Sequence, residues 1–113
     1  MHTFRTPESA KLYKAYQEEH RDNTTCSLCT EPAKSEFVHW RILKNNFPYD
    51  ALASTHDLIV PRRHVVESEL TAEEIEEYIS LKKDILFLTY EYLLEAARKS
   101  LPKHYHVHLI VTK

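Results

Sequence analysis

The chain contains no glycine. Phosphate loops of the P-loop and dinucleotide-fingerprint kinds need glycine for sharp turns and close backbone approach, so both are excluded. Phosphate would have to be held some other way. Cysteine is scarce: Cys26 and Cys29 are the only two in 113 residues, too few for a disulfide framework. Their CxxC spacing fits a metal site or a redox pair in a reducing compartment. Long apolar runs are missing, which excludes a membrane-spanning helix, and the first residues carry no apolar leader core. The expectation is a cytoplasmic protein with no membrane partner. An excess of positive charge is also lacking. The 15 Lys and Arg against 17 Asp and Glu give a net charge of −2, with no basic stripe to follow a nucleic-acid backbone.

What is present fits one compact α+β domain over residues 1–113, with 42% apolar and 28% charged residues. A helix is expected from Glu8 to about His20, with Pro7 at its start. Asp22 to Pro32 is polar and turn-rich and carries the cysteine pair. Glu36 to Leu43 reads as a strand, Asn45 to Thr55 as a loop, and Asp57 to Val60 as a short strand. Thr71 with Glu74 forms a capping box. Behind it Ile75, Tyr78, Leu81, Ile85, Leu88, Tyr92 and Ala96 recur at helical steps, which predicts a long helix to about Lys99. Pro102 prevents continuation, and His104 to Thr112 alternates as a final strand. This order predicts an antiparallel sheet with helices on one face.

The most informative segment is His104-Tyr105-His106-Val107-His108-Leu109-Ile110. On a strand the three histidines share one face, about 6.5–7 Å apart in succession. Tyr105, Val107 and Leu109 then face the long helix. Three imidazoles are poor core material, because each ring nitrogen needs a partner. An affinity tag would be an uninterrupted histidine run. A metal site from these three alone is disfavoured, since strand neighbours do not converge on one ion at ~2.1 Å.

This run resembles the His-φ-His-φ-His-φ-φ signature of the histidine-triad (HIT) superfamily, where φ is apolar. Upstream, His56-Asp57-Leu58-Ile59-Val60-Pro61-Arg62-Arg63-His64 is similar to that family's second signature, a strand leading into Pro-basic-x-His. Thr25-Cys26-Ser27-Leu28-Cys29 resembles the zinc knuckle of galactose-1-phosphate uridylyltransferases and zinc-bearing HIT proteins. Together the likeness covers roughly residues 25 to 112. It implies a HIT-like antiparallel sheet with a long helix packed on one face, an N-terminal zinc knuckle and a homodimer. It also implies a structural Zn2+ held by Cys26, Cys29, His64 and His104. Two thiolates and two imidazoles suit a closed tetrahedral site, although spacing alone leaves a redox pair open.

The resemblance implies the chemistry as well. The middle histidine, His106, would be the nucleophile at an α-phosphorus, giving a nucleotidyl-histidine intermediate. His108 would donate hydrogen bonds beside the leaving group. Lys44-Asn45-Asn46-Phe47-Pro48 is similar to the uridylyltransferase pattern Lys-Asn-x-aromatic-Pro, which makes Asn45 and Phe47 candidate substrate-binding residues. An ordinary turn asparagine is the alternative at Asn45. Family members carry a glycine-rich loop with serine before the triad; here Ser100 lies one residue further from the first histidine than that serine. His108 points to hydrolysis, while the knuckle and Asn45 point to nucleotidyl transfer. The function expected is a nucleotide hydrolase or nucleotidyltransferase acting on a nucleotide or nucleotide conjugate. The rival is a zinc-stapled nucleotide-binding module without turnover. A nucleic-acid-binding zinc protein is disfavoured by the charge.

Overall fold

The computed structural model describes residues 4–20, 26–97 and 103–113. Helix α1 (Pro7–His20) and the single turn α2 (Ser27–Thr30) precede strands β1 (Ala33–Glu36), β2 (Trp40–Lys44) and β3 (Ala53–Pro61). A 3-10 turn (Glu67–Glu69) leads to α3 (Ala72–Leu81), which runs on through a π-helical turn (Lys82–Leu86) and a last α-turn (Phe87–Thr89). Strands β4 (Tyr92–Leu94) and β5 (Val107–Thr112) complete a five-stranded antiparallel sheet ordered β1-β2-β3-β5-β4. No helix among the described residues is long and apolar enough to cross a membrane.

The expected α+β architecture is present. The start of α3 obeys its local code. Thr71 Oγ1 accepts from the Glu74 N–H (3.2 Å), and the Glu74 carboxylate accepts from the Thr71 N–H (2.8 Å). Glu74 also receives both arms of the Arg63 guanidinium, at 3.1 and 2.8 Å, and these hold its carboxyl down at about 2. Trp40 is fully buried and donates its indole N–H to the Glu74 carbonyl, which ties β2 to the helix. The core on this face joins Trp40, Ile42 and Ile59 to Leu81, Leu86, Tyr90, Tyr105, Val107 and Leu109. Burial of such side chains is worth roughly 1.5–3 kcal/mol each. Tyr105, Val107 and Leu109 therefore do face the helix, as alternation requires.

Several boundaries differ from the sequence reading, and the final strand, expected from His104, begins only at Val107. The long helix ends at Thr89, and Tyr92–Leu94 form an edge strand on β5. Leu81 and Leu86, five residues apart, both enter the core, and the wider π-turn between them supplies the extra residue. The helical period is thereby shifted, which leaves Leu88 at 82% and Tyr92 at 60% exposure, with Leu86 and Tyr90 buried in their stead. The stretch to Lys99 passes beyond the described residues at position 98. The single strand expected over Glu36–Leu43 is broken at Phe37–His39, where the Phe37 N–H donates to the Trp40 carbonyl (2.8 Å). The Glu77 carboxylate anchors this turn by accepting from the Val38 and His39 N–H groups. Strand β3 is longer than expected and includes His56.

The second face of the sheet is covered differently. Leu28 of α2 packs with Leu43, Leu58 and Val60. Tyr49 and Ala53 pack with Ile110. The residues before α1 staple to the loop after β2: the Phe4 carbonyl accepts from the Ala51 and Leu52 N–H groups, and Thr6 caps onto the Asp50 carboxylate. The histidines lie on this face, between α2 and the loop containing Tyr49.

Candidate functional site

Cys26, Cys29, His64 and His104 converge, with one ligand atom from each inside a 4.8 Å cluster. Cys26 Sγ lies 3.4 Å from His104 Nδ1, and Cys29 Sγ lies 3.4 Å from both His64 Nδ1 and His104 Nδ1. The two imidazole nitrogens are 3.2 Å apart. A tetrahedral ion with sulfur at ~2.3 Å and nitrogen at ~2.0–2.1 Å requires ligand separations of about 3.3–3.8 Å, so the four could hold a metal ion.

The surroundings fit that use. His104 Nε2 donates to the Pro61 carbonyl at 3.0 Å, which fixes the tautomer and leaves the Nδ1 lone pair facing the sulfurs. Burial and the adjacent Cys26 push the Cys29 thiol up, and burial lowers His104. Two cysteine sulfurs and two imidazole nitrogens are a donor set that a divalent cation would complete by displacing the thiol protons. Arg41 donates to the Cys29 and Glu31 carbonyls and holds the α2 turn in place. Cys26 occupies the N-cap of α2, a helix end that the sequence reading did not expect, but α2 is one turn of four residues.

From His104 the histidines continue as a buried row. His106 and His108 are 4% and 7% exposed. His106 Nδ1 lies 2.9 Å from the His104 carbonyl, which can only accept, so Nδ1 carries the proton. In the neutral ring the lone pair is then on Nε2. Strand β5 begins at Val107, so His104 and His106 sit on the segment leading into it, where the Tyr105 N–H donates to the Val65 carbonyl.

His56 was not among the expected site residues, yet it completes the row. Leu58 pairs with His108 and His56 with Ile110 across β3 and β5, so His56 and His108 are diagonal neighbours on one face. His56 Nε2 is 2.7 Å from His108 Nδ1. The proton positions follow from the partners. The Tyr49 backbone N–H donates to His56 Nδ1 (2.9 Å), so neutral His56 carries its hydrogen on Nε2 and donates to His108 Nδ1. His108 in turn carries its hydrogen on Nε2, 3.5 Å from the Tyr49 hydroxyl. Burial, followed by the nearby Arg5 charge, lowers His56 to about 4. Burial, followed by the neighbouring His56 and His106 rings, lowers His108 to about 3. Both rings are neutral donors near pH 7.

The remaining candidates are more peripheral. Asn45 Oδ1 accepts from the Phe47 N–H (2.8 Å) in a local turn, and its Nδ2 sits 3.2 Å from His56 Nε2. Because that Nε2 carries a hydrogen, the contact is a juxtaposition of two donors. Phe47 packs between Tyr13 and Tyr16 of α1, with ring centroids 5.2 and 4.7 Å away. Ser100 lies outside the described residues. Arg5 and Tyr49, both buried beside the row, carry no sequence signal, because their contacts join segments about forty residues apart. A separate surface cleft bounded by His39, Arg62, Arg63, Glu73 and Glu74 contains none of these histidines.

Comparison of the chain with models of known protein families, with curated proteins and with solved structures gives no match.

Proposed function

We propose that the chain is a HIT-type enzyme that cleaves or transfers at the α-phosphorus of a nucleotide or nucleotide conjugate, with His106 as the nucleophile. The observation that carries this reading is the 2.9 Å contact from His106 Nδ1 to the His104 carbonyl, which sets the tautomer that attack requires. The Nε2 lone pair forms the phosphorus–nitrogen bond while the bond to the leaving group breaks and the leaving atom takes the electron pair. The ring becomes cationic, and its Nδ1–H bond to a carbonyl strengthens as that charge develops. Water, or an acceptor hydroxyl in a transferase, then attacks phosphorus. The electron pair of the phosphorus–nitrogen bond returns to Nε2, and the attacking oxygen loses its proton to solvent. His108, neutral and carrying Nε2–H, donates a hydrogen bond beside the leaving group.

The four-residue cluster is read as a structural Zn2+ site. Zinc would tie α2, the segment after β3 and the lead into β5 together, and it would supply folding free energy. Homodimerisation belongs to the same reading. Exposed Phe87, Leu88 and Tyr92 around the open edge strand β4 are the apolar surface that favours it.

A zinc-stapled nucleotide-binding module without turnover is the second reading, favoured by the near-complete burial of His106. Kinetics with His106→Gly separates the two. Under the enzyme reading the variant keeps its fold and binds nucleotide, and turnover falls by roughly three orders of magnitude or more. Absence of turnover in the wild type, with tight nucleotide binding, favours the module.

A further inference from the structure

Arg5 is 9% exposed, yet no carboxylate among the described residues pairs with it; the ion pairs there use Lys34, Arg62 and Arg63. Its Nε and Nη2 both donate to the Phe47 carbonyl, at 3.2 and 3.0 Å. Its guanidinium carbon lies 4.2 Å from the centre of the Tyr13 ring and 4.8 Å from that of Tyr49. Nη1 donates to no described residue. A cation this enclosed, with a neutral oxygen and two rings for company, is short of an anion.

Its position says which anion. The Tyr49 ring stacks on His108 at 5.1 Å and 29°, and lies 4.4 Å from His56. Arg5 is therefore one ring beyond the histidine pair, at the His108 end of the row and not at the His104 end. Both histidines at that end are neutral, and the His56 Nε2–H is held by His108, so the His108 Nε2–H offers a hydrogen bond without positive charge and without a proton to surrender. An amine leaving group needs a proton as its phosphorus–nitrogen bond breaks. A phosphate leaving group needs none: it departs as an anion holding the phosphorus–oxygen electron pair, and a fixed cation stabilises it. The chain also has no glycine with which to build a phosphate loop.

We propose that Arg5 is the anion-binding residue of the histidine site, and that it selects pyrophosphate-linked nucleotide conjugates over nucleotide phosphoramidates. This rests on His106 as the nucleophile, with its leaving group on the His108 side. Planar guanidinium donors match the oxygens of a phosphate in the outer position.

Calorimetric titration with inorganic pyrophosphate, on wild type, Arg5→Lys and Arg5→Met, tests the binding. Met keeps the apolar stem, and affinity should fall by about tenfold or more, the cost of a charge-assisted contact, with Lys recovering part of it. In steady-state assays Arg5→Met should lose a similar factor in kcat/KM on a nucleoside diphosphate sugar, and less than about threefold on a nucleotide phosphoramidate. Since Arg5 also pins Phe47, a wild-type readout stands beside the variants: the Arg5 Nε–H resonance should shift on titration with pyrophosphate. An unmoved resonance at saturating pyrophosphate, equal affinity in wild type and Arg5→Met, or equal losses on both substrates would overturn the proposal. Arg5-dependent pyrophosphate binding together with full turnover in His106→Gly would overturn the nucleophile and support the anion site.

Discussion

His56 Nε2 and His108 Nδ1 stand 2.7 Å apart, in two buried rings on one face of the sheet. Because one ring donates to the other and the Tyr49 N–H donates to the first, neither can take up a proton without breaking a bond in the chain Tyr49–His56–His108. A pair arranged in this way has consequences for stability as well as for chemistry.

Stability should fall on mild acidification. The folded-state values of about 4 and about 3 lie below the ordinary histidine value of 6.5. The unfolded chain therefore binds more protons than the folded one below about pH 6.5, and stability rises with pH across that window. The two contributions are full above about pH 6.5 and are lost as pH falls towards 4 and 3. Each can add up to about 1.4 kcal/mol per pH unit to the slope. Urea unfolding from pH 7 to 4.5 should show this slope, flattened in His108→Gln. A flat profile in the wild type would contradict the neutral pair.

The metal cluster predicts composition. Protein purified without chelator should contain about one zinc per chain, since Cys26, Cys29, His64 and His104 complete a four-ligand set. Cys26→Ser should lose the metal and melt lower by roughly 10 °C or more, equivalent to about 2–3 kcal/mol for a domain of this size. Fully folded, zinc-free protein by elemental analysis would count against the site.

Glu74 is the strongest polar anchor of α3. Its carboxylate holds the Thr71 N–H and the Arg63 fork at once, and its carbonyl takes the Trp40 indole. Glu74→Ala should cost roughly 2–4 kcal/mol, against about 1 kcal/mol for Thr71→Ala, which removes only the cap. The Glu74 contribution is full above the usual carboxylate range and fades as pH falls towards about 2. Denaturation midpoints for the two variants check the order, and equal losses would refute it.

His108 should matter to rate more than to fold. His108→Gln keeps an acceptor for His56 and a donor near the leaving group, though one placed differently. Turnover should drop by roughly 10²-fold with the melting temperature little changed. An unchanged rate would remove His108 from the leaving-group side.

What was legible in the sequence had a short physical range. The Thr71–Glu74 box works over three residues, and the alternation His104 to Leu109 needs only a period of two, so the cap and the two-faced histidine segment could be read directly. The four-residue metal cluster came from a resemblance, and its members do meet. The π-turn at Lys82–Leu86 has no glycine, proline or other local mark, and it moved Leu88 and Tyr92 out of the core. Strand β4 exists through pairing with β5, a long-range event invisible in a local helical pattern. His56 and Arg5 escaped for the same reason: one depends on the β3–β5 register, the other on Phe47, 42 residues away.

The central claim is that His106 carries the nucleotide. Wild-type protein mixed with a nucleoside diphosphate sugar and quenched within seconds should show, by intact mass, a gain of one nucleotidyl group. The adduct should be acid-labile, as a phosphorus–nitrogen bond to imidazole is, should map to the C-terminal peptide containing His106, and should be absent in His106→Gly. An adduct that persists in His106→Gly, or turnover by the wild type with no adduct under any quench, would contradict the account.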